Sequence, residues 1–230
     1  MSGIVPIVAE ADVIVSGGEL GGVAAACAAA RAGARVLLAS VETYLGADLC
    51  ATGRLWSGRT AAAAVPLARK LFFREDGSRR PSVRPMDVKR LLETELLEAG
   101  VVFRFGCVPA DLLVDAGGRL AGVVFASKSG LVAVRGRAVV DASFSARLAR
   151  AAGLRFVRAA AGDTEFRQVV LGHRAAGDKG RTGRSLGPVI GSETEAWAPA
   201  EAFEYRFRLP VPAWTPDAVA AVEQRIRDRV

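Results

Sequence analysis

The stretch best suited to chemistry on a ligand is Gly17-Gly18-Glu19-Leu20-Gly21-Gly22. It follows Asp12–Val15, a short apolar run with β-branched residues that reads as a buried strand. It precedes Val23–Ala32, an alanine-rich run of high helix propensity, with Gly33 placed where a helix-ending glycine belongs. A helix that starts directly after glycines presents unpaired N–H groups and the positive end of its dipole. A pyrophosphate suits that end if no side chain blocks its approach. The small residues Ala25, Ala28 and Ala29 are expected to let the helix lie close to a sheet. In the GxGxxG register the three positions fall on Gly17, Glu19 and Gly22. Glu19 therefore stands where backbone should approach phosphate. Its carboxylate repels a phosphate charge by roughly 1 kcal/mol at 4 Å in water, and about 4 kcal/mol at an effective dielectric near 20.

Other chemistries are poorly supplied. There is one histidine, His173, so mechanisms that need two are excluded. The three cysteines, Cys27, Cys50 and Cys107, are widely spaced, which excludes a disulfide framework and a CxxC metal clip. No metal site is expected. Cys27 and Cys107 read as buried fillers, and a redox role for Cys50 would require an electropositive, exposed setting. The net charge is +7, from 31 Lys and Arg against 24 Asp and Glu. The arginines are scattered, with one local cluster at Arg74, Arg79, Arg80 and Arg84. No aromatic residues interleave there as stacking platforms, which argues against nucleic-acid binding.

The elements around the turn follow from periodicity. Arg35–Ala39 is the second strand of a βαβ unit. A helix is expected near Ala61–Phe72 and another over Val88–Ala99, stopped by Gly100. Val101–Phe105 reads as a strand. Short strands at Leu112–Val114, Leu120–Ala126, Leu131–Val134 and Ala138–Val140, split by glycine turns, read as a meander. A short helix is expected at Ala146–Ala152, a strand at Phe203–Leu209, and a helix from Asp217 after Thr215-Pro216. No stretch approaches the eighteen or so apolar residues of a membrane span. No basic region precedes a long apolar run at the N-terminus, so no signal peptide is expected. The odd, sparse cysteines fit a reducing, cytoplasmic setting.

The stretch DVIVSGGELGGVAAACAAARAGARVLL resembles the opening of bacterial FAD-dependent oxidoreductases with the glutathione-reductase-type FAD-binding fold. Their openings run strand, GGGxGG, alanine-rich helix, strand, acidic residue and LeuGlyGly loop. That loop is similar to Tyr44-Leu45-Gly46-Ala47-Asp48-Leu49 here. Val139–Ser143 is similar to the family's AspAlaThr motif. The resemblance covers about residues 10–155.

The resemblance implies an α/β chain: a Rossmann-like FAD/NAD(P)-binding fold with a three-stranded β-meander, and a partial C-terminal α+β region. Residues 1–155, including a connection at 51–85, would form the FAD-binding domain; 156–230 would begin an incomplete substrate or cap domain. It implies FAD as cofactor, with Gly17, Gly18, Glu19, Leu20, Gly21 and Gly22 at the ADP half. The family's ribose-binding acid falls on Ser40, with Glu42 as a substitute. Leu45 and Gly46 open the loop on the flavin side, and Asp141 and Ser143 are further site candidates. The alternative for Asp141 is a cap on the following helix. Phe144 stands where the family has a glycine. The implied activity is flavin-mediated hydride transfer on a small molecule, with no catalytic side chain assigned. The alternative is a flavin-free remnant acting as subunit or scaffold. A second copy or a partner chain is expected to complete the flavin pocket.

Overall fold

The structure is a computed structural model; it describes residues 5–57, 65–171, 181–190 and 200–229. The chain divides into two compact units, Met1–Ala51 with Trp56–Arg155, and Thr52–Leu55 with Phe156–Val230. Among the described residues, no helix is long and apolar enough to cross a membrane.

The first unit is built on a six-stranded sheet of order β3-β2-β1-β6-β5-β4. Its strands are β1 (Ile7–Ser16), β2 (Val36–Ala39), β3 (Val102–Arg104), β4 (Val108–Val114), β5 (Leu120–Ser127) and β6 (Gly130–Asp141). β3, β2, β1 and β6 run parallel, while β4, β5 and β6 form the antiparallel meander. The helices are α1 (Leu20–Arg31), α2 (Ala47–Cys50), α3 (Pro66–Phe72), α4 (Pro85–Glu98) and α5 (Arg147–Ala151). This is the Rossmann-like FAD-binding fold with its meander, as the resemblance implies. Val15, Ile14, Leu37 and Leu38 are 2% exposed or less, so β2 and the end of β1 are buried on both faces, as central parallel strands require.

Three local expectations are corrected. β6 is one strand of 12 residues, not two split at Gly136. Gly136 is a packing position: a Cβ there would meet Ile14 Cδ1 at 2.7 Å. β1 begins at Ile7, because its first half pairs with the meander part of β6 before its second half joins β2. The buried face of α1 is Gly22, Val23, Ala26 and Cys27, while Ala28 is exposed. The expected helix at 61–72 is described only as α3, since 61–64 lie outside the described residues, as does His173.

The second unit carries a three-stranded antiparallel sheet of order β7-β9-β8. Its strands are β7 (Gly162–Leu171), β8 (Arg181–Ile190) and β9 (Ala200–Val211), followed by α6 (Pro216–Arg227). Phe203, Tyr205, Phe207, Leu209 and Val211 alternate onto one face of β9, where Val222 and Ile226 of α6 join them in the core. Thr215 caps α6, its hydroxyl accepting from the Ala218 N–H at 3.4 Å.

Candidate functional site

The parallel strands deliver their ends to one place. β1 stops at Ser16, and Gly17 turns the chain with φ +128°, a conformation that favours glycine. A Cβ on Gly17 would meet the Ala142 carbonyl oxygen at 2.5 Å, so the end of β6 runs hard against the turn. A Cβ on Gly22 would meet the Gly17 carbonyl oxygen at 2.1 Å, so α1 approaches the turn as closely as bare backbone permits. A Cβ on Gly18 would strike Ser40 Oγ at 2.6 Å and Leu45 Cδ2 at 3.0 Å. These three glycines join loops. Gly21 differs: a Cβ there meets nothing within 4 Å, and the residue is exposed at the helix start.

The loop after β2 closes on the same turn. Leu45 is fully buried, and the Gly46 N–H donates to the Gly18 carbonyl at 2.8 Å. Gly46 has φ +77°, and a Cβ there would press on Val88 and Leu92 of α4 at 2.9 Å each. Lys89 of α4 lies 3.9 Å from the centre of the Tyr44 ring, and the Cys50 thiol faces the Pro85 carbonyl at 3.6 Å. The loop is therefore anchored to both the glycine turn and α4. Burial raises the Cys50 thiol pKa, with Lys89 opposing, so the redox setting considered for Cys50 is lacking.

Two carboxylates occupy the positive end of α1. Glu19 is its N-cap residue, with extended φ −72° and ψ 168°, but its side chain does not cap the helix. Its Oε2 atom is buried and has no hydrogen-bond partner. Burial raises the Glu19 pKa, the Asp48 and Glu42 carboxylates raise it further, and its own backbone N–H opposes them. Asp48, from α2, accepts the Leu20 N–H on both oxygens, at 3.3 and 3.4 Å. Burial raises its pKa too, against hydrogen bonds from the Leu20, Asp48 and Leu49 backbone.

The remaining sequence-derived candidates fall as follows. Ser40 is 2% exposed and packs behind Gly18, its backbone tied to Arg104 and Cys107. Glu42 is exposed, and its carboxylate is near enough to raise the pKa of Glu19. Asp141 accepts from Ser143 N–H at 3.1 Å, from Ser143 Oγ at 2.5 Å, and from the Ala149 N–H of α5 at 2.9 Å. Burial works to raise its pKa, but these donors outweigh it and the net shift is downward. Asp141 thus serves as a cap for α5. Phe144 projects into solvent, 93% exposed. Ala146 follows with φ +47°, the one positive-φ non-glycine residue among those described. Asp48 escaped the sequence reading: nothing in the chain signals that a carboxylate 28 positions away would reach Leu20.

The sequence matches the FAD dependent oxidoreductase family over residues 12–213. No curated protein matches the chain. Among solved structures, the chain is similar to the flavin-dependent brominase Bmp2, with TM-score 0.55, 13% identity, and 86% of this chain and 56% of that one covered. It is similar to OxyS anhydrotetracycline hydroxylase from Streptomyces rimosus, with TM-score 0.53, 18% identity, and 86% and 45% covered. It also resembles a geranylgeranyl bacteriochlorophyll reductase-like protein from Thermoplasma acidophilum, with TM-score 0.51, 17% identity, and 86% and 57% covered. The chain spans about half the length of these structures. At such identities they speak for the fold, and the family match carries the assignment. With 202 of its 230 residues inside that match, the chain belongs to the FAD dependent oxidoreductase family.

Proposed function

We propose that the chain is the dinucleotide-holding part of a flavin oxidoreductase, seating the ADP half of FAD at the turn between β1 and α1. The backbone fits that group. Gly17 and Gly22 bring strand, turn and helix into the close approach such a seat needs, and Gly21 adds no side chain at the helix start. The open space beside Gly21, at a helix N-terminus, is the observation that carries the reading. Gly17, Gly18, Gly21 and Gly22 would hold the phosphates, with Glu42 as the acceptor for the ribose. When bound, the flavin would supply hydride transfer to or from a small-molecule substrate. We place the protein in the cytoplasm, with a second copy or a partner chain completing the flavin pocket and no nucleic acid involved.

A flavin-free scaffold is the second reading, and the Glu19 and Asp48 carboxylates at the phosphate end of α1 favour it. FAD titration of the purified chain separates the two. Flavin absorbance retained after desalting, or a saturable titration, is expected. A colourless protein with no measurable FAD affinity would favour the scaffold.

A further inference from the structure

The alternation that turns Phe203, Tyr205 and Phe207 of β9 towards α6 turns Glu204, Arg206 and Arg208 to the opposite face of the second sheet. The register with β7 sets Arg206 directly opposite Arg167 and Arg208 directly opposite Glu165. Opposed side chains on neighbouring antiparallel strands stand about 4.5–5.5 Å apart at Cβ, and like charges in that relation are destabilising. Arg54, from the Thr52–Leu55 segment of the same unit, comes within 3.9 Å of Glu204. Among the described residues, four arginines thus gather about two glutamates here.

The two glutamates hold these arginines incompletely. Glu204 is 3% exposed, but its oxygens lie 3.5 Å from Arg206 and 3.9 Å from Arg54, beyond the roughly 2.7–2.9 Å of a charge-assisted hydrogen bond. Glu165 is exposed and takes Nε and a terminal nitrogen of Arg167 on a single oxygen, at 2.8 Å each. Those bonds lower the Glu165 pKa, and the charges of Arg206 and Arg208 lower it further. Arg54, Arg167 and Arg206 keep 41–47% of their side chains in solvent, so donors on each remain open to a ligand.

We propose that this face binds a small organic acid, whose carboxylate sits between Arg167 and Arg206 and turns a repulsive pair into a clamp. The class follows from the donors. Guanidinium forks match the two oxygens of a planar carboxylate, and the groups that already meet these arginines are carboxylates. Glu204 holds Arg206 from the buried side, while Glu165 is the exposed competitor that a ligand displaces from Arg167. All of these residues belong to the second unit, so the site does not depend on the dinucleotide seat of the first.

The test uses the full chain, with succinate, benzoate and inorganic phosphate titrated by calorimetry at low salt, and with thermal melts in the absence of ligand. Succinate and benzoate should bind saturably and more tightly than phosphate. Arg167→Gln and Arg206→Gln should each weaken them about tenfold or more, the loss expected when a charged donor is removed from a carboxylate. Arg167→Gln should melt no lower than the parent, because it relieves the opposed charges and gives up only an exposed ion pair. Glu165→Gln should tighten binding, since Arg167 is then uncontested. Arg119→Gln, at an 85% exposed arginine of the meander, removes the same charge elsewhere and should leave affinity unchanged. Absence of saturable succinate and benzoate binding in the parent would overturn the site, as would equal affinity in the parent, Arg167→Gln and Arg206→Gln. An equal loss in Arg119→Gln would overturn it by reducing the effect to net charge. Phosphate bound as tightly as succinate and benzoate would overturn the carboxylate class. A lower melt for Arg167→Gln with unchanged affinity would make its pair with Glu165 purely architectural.

Discussion

Helix α1 has a carboxylate with a buried oxygen near each end, and the two are balanced in opposite ways. Towards its C-terminus, Glu95 of α4 is 3% exposed. Arg31 of α1 meets it at 2.8 Å, Lys70 of α3 reaches its other oxygen, and Cys27 Sγ donates to its backbone carbonyl at 3.4 Å. Burial by itself would raise the Glu95 pKa; Lys70 and Arg31 outweigh it and bring it below the ordinary glutamate value. At the N-terminus, no cation among the described residues is paired with Glu19, and the charges acting on it are those of Asp48 and Glu42. One site clamps three helices together. The other keeps an uncompensated charge where the fold offers an anion seat. A buried carboxylate with its charge matched reads as architecture, and one left unmatched at a ligand end reads as function.

The frame shared by both sites is the most sensitive point. Gly22→Val puts a branched side chain where even a Cβ would lie 2.1 Å from the Gly17 carbonyl oxygen. The neighbour is backbone and cannot step aside. A loss of about 3 kcal/mol or more is expected, read as a collapsed or absent cooperative melt. Gly21→Ala is the matched control, with open space at the same helix start, and should fold at least as stably as the parent.

Glu95→Gln should cost about 1–3 kcal/mol in urea denaturation. The lower part of that range is favoured because Arg31 and Lys70 are about half exposed and can turn to water. A neutral result would break the comparison, since Glu95 would then be no better matched than Glu19.

Asp141 is a third case, with its charge matched by N–H and O–H donors alone. It caps α5 directly after Ala146, which is held at φ +47°. Ala146→Gly should relieve that backbone and stabilise the chain by about 1 kcal/mol, seen as a higher melting temperature.

The smallest effect is the pH signature at the helix ends. Because Glu95 has a lowered folded pKa, its stabilisation is present above the ordinary glutamate pKa and is lost as pH falls through the folded value. Glu19 has a raised folded pKa, so the native state binds its proton more tightly than the unfolded chain does. Its contribution therefore declines as pH rises from the ordinary value through the raised one. Glu19→Gln should gain less than about 1 kcal/mol near neutral pH and flatten the curve on that side. Melts recorded from acid to neutral pH should show opposite changes of slope for Glu95→Gln and Glu19→Gln.

Much of the candidate site was legible from local chemistry. A glycine turn between an apolar run and an alanine-rich helix has few other uses, and Gly17 and Gly22 adopt the tight geometry their places in the register imply. Gly136 misled, because a glycine that marks a turn and a glycine that admits Ile14 look alike in sequence. β7 and β8 went unread, since their mixed polar and apolar residues carry no clean period. Leu97, an apolar residue of α4, is 66% exposed, while Glu95 on the same helix is buried. Hydropathy cannot anticipate a glutamate made tolerable by Arg31 and Lys70 from two other helices.

The sequence by itself determined the βαβ start, the meander, the family and the odd carboxylate at position 19, because each depends on neighbours within a few residues or on a pattern along one strand or helix. Only the tertiary structure decided that Asp48 would meet Leu20, that Asp141 would cap α5 and that Ser40 would be sealed behind Gly18. These outcomes depend on how close bare glycine backbone lets separate loops come, and on which charges then lie together out of water. Distance and desolvation arise only when the chain has folded.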